Sequence, residues 1–301
     1  MIWVALLIVL MGIAAWPFAV DARKPAHAAE LRPLGQVAQL SQARTWYRWS
    51  GPTRGPVVVL IHGLTTPSPV FDDLGAELVK TGARTLVYDL YGRGLSDAVL
   101  GPQNAAFFLR QLDDLLRDQV PDGPLTLVGY SMGAQIAAIY AAQHPQRVTR
   151  LVLLAPAGMY LTLQPFWRRA RDLPVLGDWM ARAFGARALR QVAASGTRMG
   201  QVQTDQLDRR GYLPAVLSSL RGLLGTTQES VHRSLATQGL PVLAIWGGQD
   251  GTIPQTAPGR LAQWNRNATQ EVIVEADHGL PWRHADRVAE LMRRHAADLP
   301  V

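Results

Sequence analysis

The sequence predicts an α/β fold in which a mostly parallel sheet is covered by helices on both faces. Three observations carry this. Short, wholly apolar runs such as VVVLI (57–61) and PVLAIWG (241–247) read as strands buried on both sides. They alternate with stretches of helical apolar spacing, the pattern of strand–helix–strand units. The alternation stops once, over residues 158–236, where a segment rich in Arg, Ala, Leu and Gly has helical spacing and no convincing strand.

Taken in order, VAQLSQARTWYRW (37–49) reads as one or two strands, closed by a Gly51-Pro52 turn. VVVLI follows. A helix is predicted over about 70–81, ending at Gly82, and TLVYDL (85–90) is the next strand. Phe107, Phe108, Leu112, Leu115 and Leu116 mark a helix near 103–119. LTLVGY (125–130) is a strand that runs straight into a helix from Met132 to about Gln143. LVLLAPA (151–157) completes the strands before the helical insertion. Strands resume at 241–247 and with EVIVEA at 271–276, and a last helix covers roughly 284–296.

The first 20 residues, MIWVALLIVLMGIAAWPFAV, carry no charge. As a helix they span roughly 30 Å, the hydrocarbon thickness of a bilayer. Trp3 and Trp16 lie near the two ends, as interfacial aromatics do. Arg23, Lys24 and Arg32 follow the run and nothing basic precedes it, which places the C-terminal side in the cytoplasm. Residues 1–21 therefore read as a membrane anchor, 22–36 as a linker and 37–301 as one domain. A cleaved signal peptide, with a secreted or periplasmic product, is the competing reading. Ala26-His27-Ala28 resembles a small-x-small cleavage site. The missing basic residues and an apolar run longer than the usual ~7–15 residues oppose it.

Composition excludes several classes. With no cysteine there is no disulfide framework, thiol nucleophile or Cys-based metal site. No metal or cofactor is expected. The net charge is +7, and Lys24 and Lys80 are the only lysines. An arginine-rich codon usage accounts for this; attraction to anionic lipid is the functional alternative. The arginines are scattered and no nucleic-acid-binding motif is present, so a nucleic-acid partner is not expected.

The chemistry centres on GYSMG (129–133). A Gly-x-Ser-x-Gly between a strand and a helix suits a nucleophile elbow, which lifts Ser131 above the sheet edge. The helix N-terminus and the Met132 amide there favour a developing oxyanion. A serine needs a base. Of seven histidines, His278 follows the last strand, at the sheet end where sites of open α/β folds form; His284 is the fallback. His144 and His295 sit on helices, His232 in the insertion, and His27 beside the apolar run. Asp250, ending PVLAIWGGQD, is the candidate to orient His278. Asp277 adjoins His278 and neighbouring side chains diverge, while Asp89 and Asp97 suit turn roles. IHGLTT (61–66) follows the first long apolar strand, and the Leu64 amide is the candidate second oxyanion donor, with His62 bracing the loop.

With HGL (62–64), DLYGRGLSD (89–97), GYSMG (129–133), GGQD (247–250) and DHG (277–279) in this order, the chain from about residue 37 onward resembles the α/β-hydrolase superfamily. The resemblance implies an eight-stranded core sheet and a helical lid between strands six and seven. It carries Ser131, Asp250 and His278 over as the triad and Leu64 and Met132 as oxyanion donors. DLYGRGLSD resembles the family's loop after the fourth strand. Within the superfamily the chain looks most like small lidded esterases and monoacylglycerol-lipase-like enzymes. That implies a small, apolar ester substrate. Carbon–carbon bond hydrolysis on the same fold is the alternative, and a non-catalytic binding protein the third reading. In the lid, Leu173, Val175, Leu176, Trp179, Met180, Ala183 and Phe184 offer apolar positions that would cover a pocket; ordinary packing of lid on core with the arginines as a solvated face is the first reading, and an apolar acyl pocket with a basic rim the sharper alternative.

Overall fold

The computed structural model describes residues 1–26, 35–159, 161–191, 193 and 197–297. His27, Ala28 and Arg32, on which part of the N-terminal reading rests, lie outside the described residues. The chain opens with α1 (Ile2–Arg23), followed by β1 (Gln36–Gln39), β2 (Arg44–Ser50) and β3 (Val57–Ile61). A 3-10 turn (Ser68–Phe71) leads into α2 (Asp72–Lys80), then β4 (Arg84–Tyr88), α3 (Ala105–Gln119), β5 (Leu125–Tyr130), α4 (Met132–Gln143) and β6 (Val148–Leu154). The insertion comprises α5 (Pro165–Asp172), α6 (Leu176–Arg190), α7 (Arg198–Asp205), α8 (Tyr212–Arg221) and α9 (Glu229–Gln238). β7 (Val242–Gly247), α10 (Ala257–Trp264), β8 (Thr269–Ile273), α11 (Leu280–Arg283) and α12 (Ala285–Ala297) complete it.

The eight strands form one sheet in the order β1-β2-β4-β3-β5-β6-β7-β8. β1 and β2 run antiparallel to their neighbours and the other pairs are parallel. β5 lies between β3 and β6, with Val128 in register with Leu60 and Val152. Both faces of these strands are covered, so they need apolar residues at every position rather than at alternate ones. Val59, Leu60, Ile61, Leu127, Val128, Leu153 and Leu154 are all fully buried. Each such side chain contributes roughly 1.5–3 kcal/mol of burial. The helix α4 is apolar all round, as a helix buried on every side must be, and ten of its residues are buried. α3 instead has one apolar face, and Asn104 caps it by accepting the Phe107 N–H at 3.1 Å.

The sheet edge departs from the sequence reading. EVIVEA was expected as a strand through 276, but β8 ends at Ile273. β8 has a neighbour on one side only, and Val272 and Val274 remain exposed. The turn bonds Gly248 N→Ile273 O and Ala276 N→Ile273 O end the ladder and release residues 274–279 as a loop. β6 begins at Val148, earlier than expected, and α10 and α11 are too short for periodicity to separate them.

The insertion has its own core, which includes Trp167, Ala170, Ala181, Leu189, Leu213 and Leu217. α6 presents Gly177, Ala181 and Gly185 inward, which lets its backbone approach α5 and α8. This corrects the expectation for the stripe 173–184. Leu173, Val175, Leu176 and Phe184 are exposed, and neither they nor Trp179, Met180 and Ala183 line the central cavity. With the small residues turned in, the large ones face outward beside α1. Trp179 Nε1 donates to the Ile13 carbonyl at 3.1 Å, and the Arg182 guanidinium lies 4.5 Å over the Phe18 ring. Below this contact Lys24 Nζ donates to the Leu207 carbonyl at 2.8 Å, and the Gly211 N–H at the start of α8 reaches the Asp21 carboxylate.

Candidate active site

Ser131 occupies the corner between β5 and α4 with φ 53° and ψ −115°, a conformation that L-residues avoid. The turn is held by Ser131 N→Leu154 O at 2.9 Å and Ala134 N→Ser131 O at 3.1 Å. The two flanking glycines are required by contact. A Cβ on Gly133 would run into the Ile61 carbonyl, and one on Gly129 into the backbone of Gly133 and Ala134. Only with both absent can α4 start close enough to β3 and β5 to hold this strain.

The loop after β8 brings His278 over the corner. Its Nε2 lies 3.1 Å from Ser131 Oγ, and its Nδ1 lies 2.7 Å from Asp250 Oδ2. Asp250 follows β7; its other oxygen accepts the Thr252 and Ile253 amides at 2.7 and 2.9 Å. Both carboxylate oxygens are thus engaged, and the group is nearly buried. This geometry requires the imidazole proton on Nδ1, leaving Nε2 to accept from the serine hydroxyl. Asp277 turns away: it accepts the Gly279 N–H at 2.8 Å and pairs with Arg283 at 3.2 Å.

On the other side of Ser131 stands the loop after β3. His62 is fully buried; its Nδ1 meets the Gly63 carbonyl at 2.9 Å and its Nε2 accepts the Leu90 N–H at 2.8 Å. In a trans peptide the N–H points opposite to the C=O. Holding the Gly63 carbonyl therefore sets the direction of the Leu64 amide. Met132 supplies the first amide of α4. Asp89 accepts the Ser68 and Leu95 amides, and Asp97 pairs with Arg44 at 3.1 Å, both turn roles.

Ser131, His278, Leu64 and Gly63 line a cavity of about 300 Å³, the lower end of the range that ligand pockets occupy. Its far wall comes from the insertion: Leu161, Leu163, Trp167, Leu189, Val216 and Leu220. Thr65 and Gln203 add polar atoms to the lining. His144 and His232 pack against aromatic rings. His144 stacks on Tyr140 at 4.2 Å, and buried His232 faces Trp264 at 6.3 Å. His284 lies at the α11–α12 junction.

Tyr130 escaped the sequence reading. It is buried, its hydroxyl donates to the His278 carbonyl at 3.1 Å, and its ring lies 5.1 Å from the imidazole. It holds the loop that carries His278. Its place inside GYSMG was visible, but no spacing rule links it to a residue so distant in sequence.

Residues 56–285 match the family described as alpha/beta hydrolase fold. The chain belongs to the α/β-hydrolase family. A pimeloyl-[acyl-carrier protein] methyl ester esterase of Vibrio campbellii is 25% identical over 237 residues, covering 76% of this chain and 90% of that one. A monoacylglycerol lipase, abhd6-B of Xenopus laevis, is 24% identical over 261 residues, covering 80% and 75%. Among solved structures, an enol-lactonase from Burkholderia xenovorans superposes with a TM-score of 0.74 at 21% identity, over 87% of this chain and all of that one. At that identity the likeness speaks to fold alone. This α/β-hydrolase carries the eight-stranded, mostly parallel sheet that its motifs implied.

Proposed function

We propose that this α/β-hydrolase is a membrane-tethered serine hydrolase of carboxylic esters, with Ser131 as nucleophile, His278 as base and Asp250 as its orienting carboxylate. The observation that carries the reading is the unbroken relay from Ser131 Oγ through the His278 ring to Asp250, at the floor of an apolar cavity. The esterase and lipase names of the relatives in Vibrio campbellii and Xenopus laevis agree with it.

In this mechanism Ser131 Oγ attacks the ester carbonyl carbon while His278 Nε2 takes the hydroxyl proton. The Leu64 and Met132 amides donate to the oxyanion of the tetrahedral intermediate. His278 returns the proton to the leaving alcohol, and an acyl group remains on Ser131. Water, deprotonated by His278, attacks this acyl carbon. Collapse releases the carboxylic acid and restores the serine. Apart from the hydrolytic water, each step uses side chains and amides of this chain.

The apolar far wall suits an acyl chain, and we assign lipid-derived monoacyl esters such as monoacylglycerols as the substrate class. α1 supports this placement. Its mean hydropathy is 2.3 and almost all of it is exposed. We read residues 1–21 as the anchor, 22–36 as a linker and 37–301 as the catalytic domain, with 158–236 as its lid. Ile13, bonded to Trp179, lies roughly 15 Å along the helix from Arg23 at 1.5 Å per residue. α1 in the membrane therefore carries the outer face of α6, where Val175, Leu176 and Phe184 are exposed, to lipid. Arg23 and Lys24, which follow the apolar run, support a domain on the cytoplasmic side.

A fluorophosphonate probe tests the nucleophile. Labelling is expected in the wild type and lost in Ser131→Ala; labelling that survives the substitution sinks the assignment. A panel of p-nitrophenyl esters set against vinylogous diketones tests the substrate class. Faster turnover of diketones, or of short water-soluble esters over medium acyl chains, would refute it. Intact mass tests the anchor: a mature N-terminus near Ala29 would remove it.

A further inference from the structure

Arg93 is fully buried, yet its guanidinium donates to neutral acceptors. Nε donates to the Leu64 carbonyl at 3.1 Å. Nη1 donates to the Tyr91 carbonyl at 2.9 Å and to Gln103 Oε1. Nη2 donates to the Ala215 carbonyl at 3.2 Å and to Ser219 Oγ at 2.8 Å. Burial lowers its pKa to about 9, so the cation persists at neutral pH. A buried charge matched only by dipoles is costly. What the guanidinium offers in return is reach: a rigid fork of donors that can bond several segments at once.

Those segments are informative. Leu64 belongs to the loop that carries the oxyanion amide, Gln103 follows the DLYGRGLSD loop, and Ala215 and Ser219 belong to lid helix α8. The same lid helix makes a second bond to the oxyanion loop: buried Tyr212 donates its hydroxyl to the Thr65 carbonyl at 2.9 Å. Gln203 of α7 donates to Thr65 Oγ1 at 3.2 Å. On the other flank, His62 holds the Gly63 carbonyl. The peptides on both sides of Leu64 are thereby fixed, one by His62 and one by Arg93, and the direction of the Leu64 N–H between them follows.

We propose that Arg93 is a positioning residue, seconded by Tyr212, that couples the seating of the lid to the oxyanion site. With α8 in place, Arg93 and Tyr212 hold the Leu64 and Thr65 carbonyls and the Leu64 amide points at the reacting carbonyl. With α8 displaced, both bonds loosen and the donor, held by His62 alone, is misaimed while the Ser131–His278–Asp250 relay stays assembled. The inference rests on the assignment of Ser131 and Leu64 above.

Steady-state kinetics on a soluble p-nitrophenyl ester test this in full-length Arg93→Lys and Tyr212→Phe. Rates are normalised to sites titrated to completion with fluorophosphonate. A lost oxyanion donor lowers kcat per site by about 100-fold or more, and a misaimed one by part of that. We expect kcat per site to fall about 10-fold or more in Arg93→Lys and about 3-fold in Tyr212→Phe, with KM nearly constant. The Ki of an arylboronic acid, which forms a tetrahedral oxyanion mimic, should rise by the same factor as kcat falls. A purely structural role would reduce the number of titratable sites and leave kcat per site and the boronate Ki unchanged; that result overturns the inference. Tyr212→Phe, which removes one hydroxyl, decides the matter even where Arg93→Lys does not fold. Wild-type protein that takes up no fluorophosphonate at Ser131 overturns the underlying assignment, and is seen before any substitution is made.

Discussion

His278 Nδ1 lies 2.7 Å from the Asp250 carboxylate, although a second carboxylate, Asp277, is its immediate neighbour in the chain. The distant partner is used because its loop, folded back after β7, is fastened by the Thr252 and Ile253 amides, whereas Asp277 is spent on Gly279 and Arg283. Substituting the two should separate their roles. Asp250→Asn is expected to lower kcat by roughly 10³–10⁴, because an amide NH₂ favours the wrong imidazole tautomer. Asp277→Asn should stay within about 3-fold of the wild type, as expected of a partly exposed pair. Equal losses in the two variants would reverse the assignment of the orienting residue.

Gly133→Ala is expected to destabilise the fold itself. The new methyl meets the Ile61 carbonyl, which is fixed in the sheet. Overpacking of this kind costs about 1–3 kcal/mol. Thermal unfolding should show a lowered midpoint, with fluorophosphonate labelling reduced in proportion to the folded fraction. A midpoint equal to wild type would contradict the close approach of α4 to β3.

Buried His232 gives the fold a pH dependence. Desolvation lowers its pKa to about 4, from the ordinary 6.5. Between these values the unfolded chain binds a proton that the folded chain does not. Stability is therefore full above pH 6.5 and falls as the pH drops toward 4. The shift corresponds to at most roughly 3 kcal/mol. His232→Phe keeps an aromatic ring against Trp264 and removes the titration, so its midpoint should decline less steeply between pH 7 and 4.5. Parallel declines would place the sensitivity elsewhere.

The absence of cysteine makes the membrane reading directly testable. Single Val175→Cys and Phe184→Cys variants, carrying an environment-sensitive fluorophore, can be placed in phosphatidylcholine–phosphatidylglycerol vesicles. Lipid-borne spin labels should quench both probes, and should not quench one at exposed Lys80 on α2. Protein that floats with the vesicles while Val175 and Phe184 remain in water would separate a valid anchor from a wrongly seated lid.

The sequence by itself determined the sheet and the insertion. Buried parallel strands must be apolar at every position, which made 57–61 and 125–130 legible to the residue. The same chemistry made Ser131 stand out, because only a strand–turn–helix corner needs glycine on both sides of a serine. His278 and Asp250 could be chosen because chain order and strand ends restrict which side chains reach one sheet edge. Tertiary structure alone decided the rest. The stripe 173–184 looked like a pocket cover, since helical spacing gives a face but not its direction. The small residues Gly177, Ala181 and Gly185 turned that face outward, toward α1. Arg93 and Tyr130 carried no local signal either, because each bonds residues more than a hundred positions away that meet it only in the folded chain. Local physics fixes which segments are strands and helices; partners that meet only after folding fix what each side chain does.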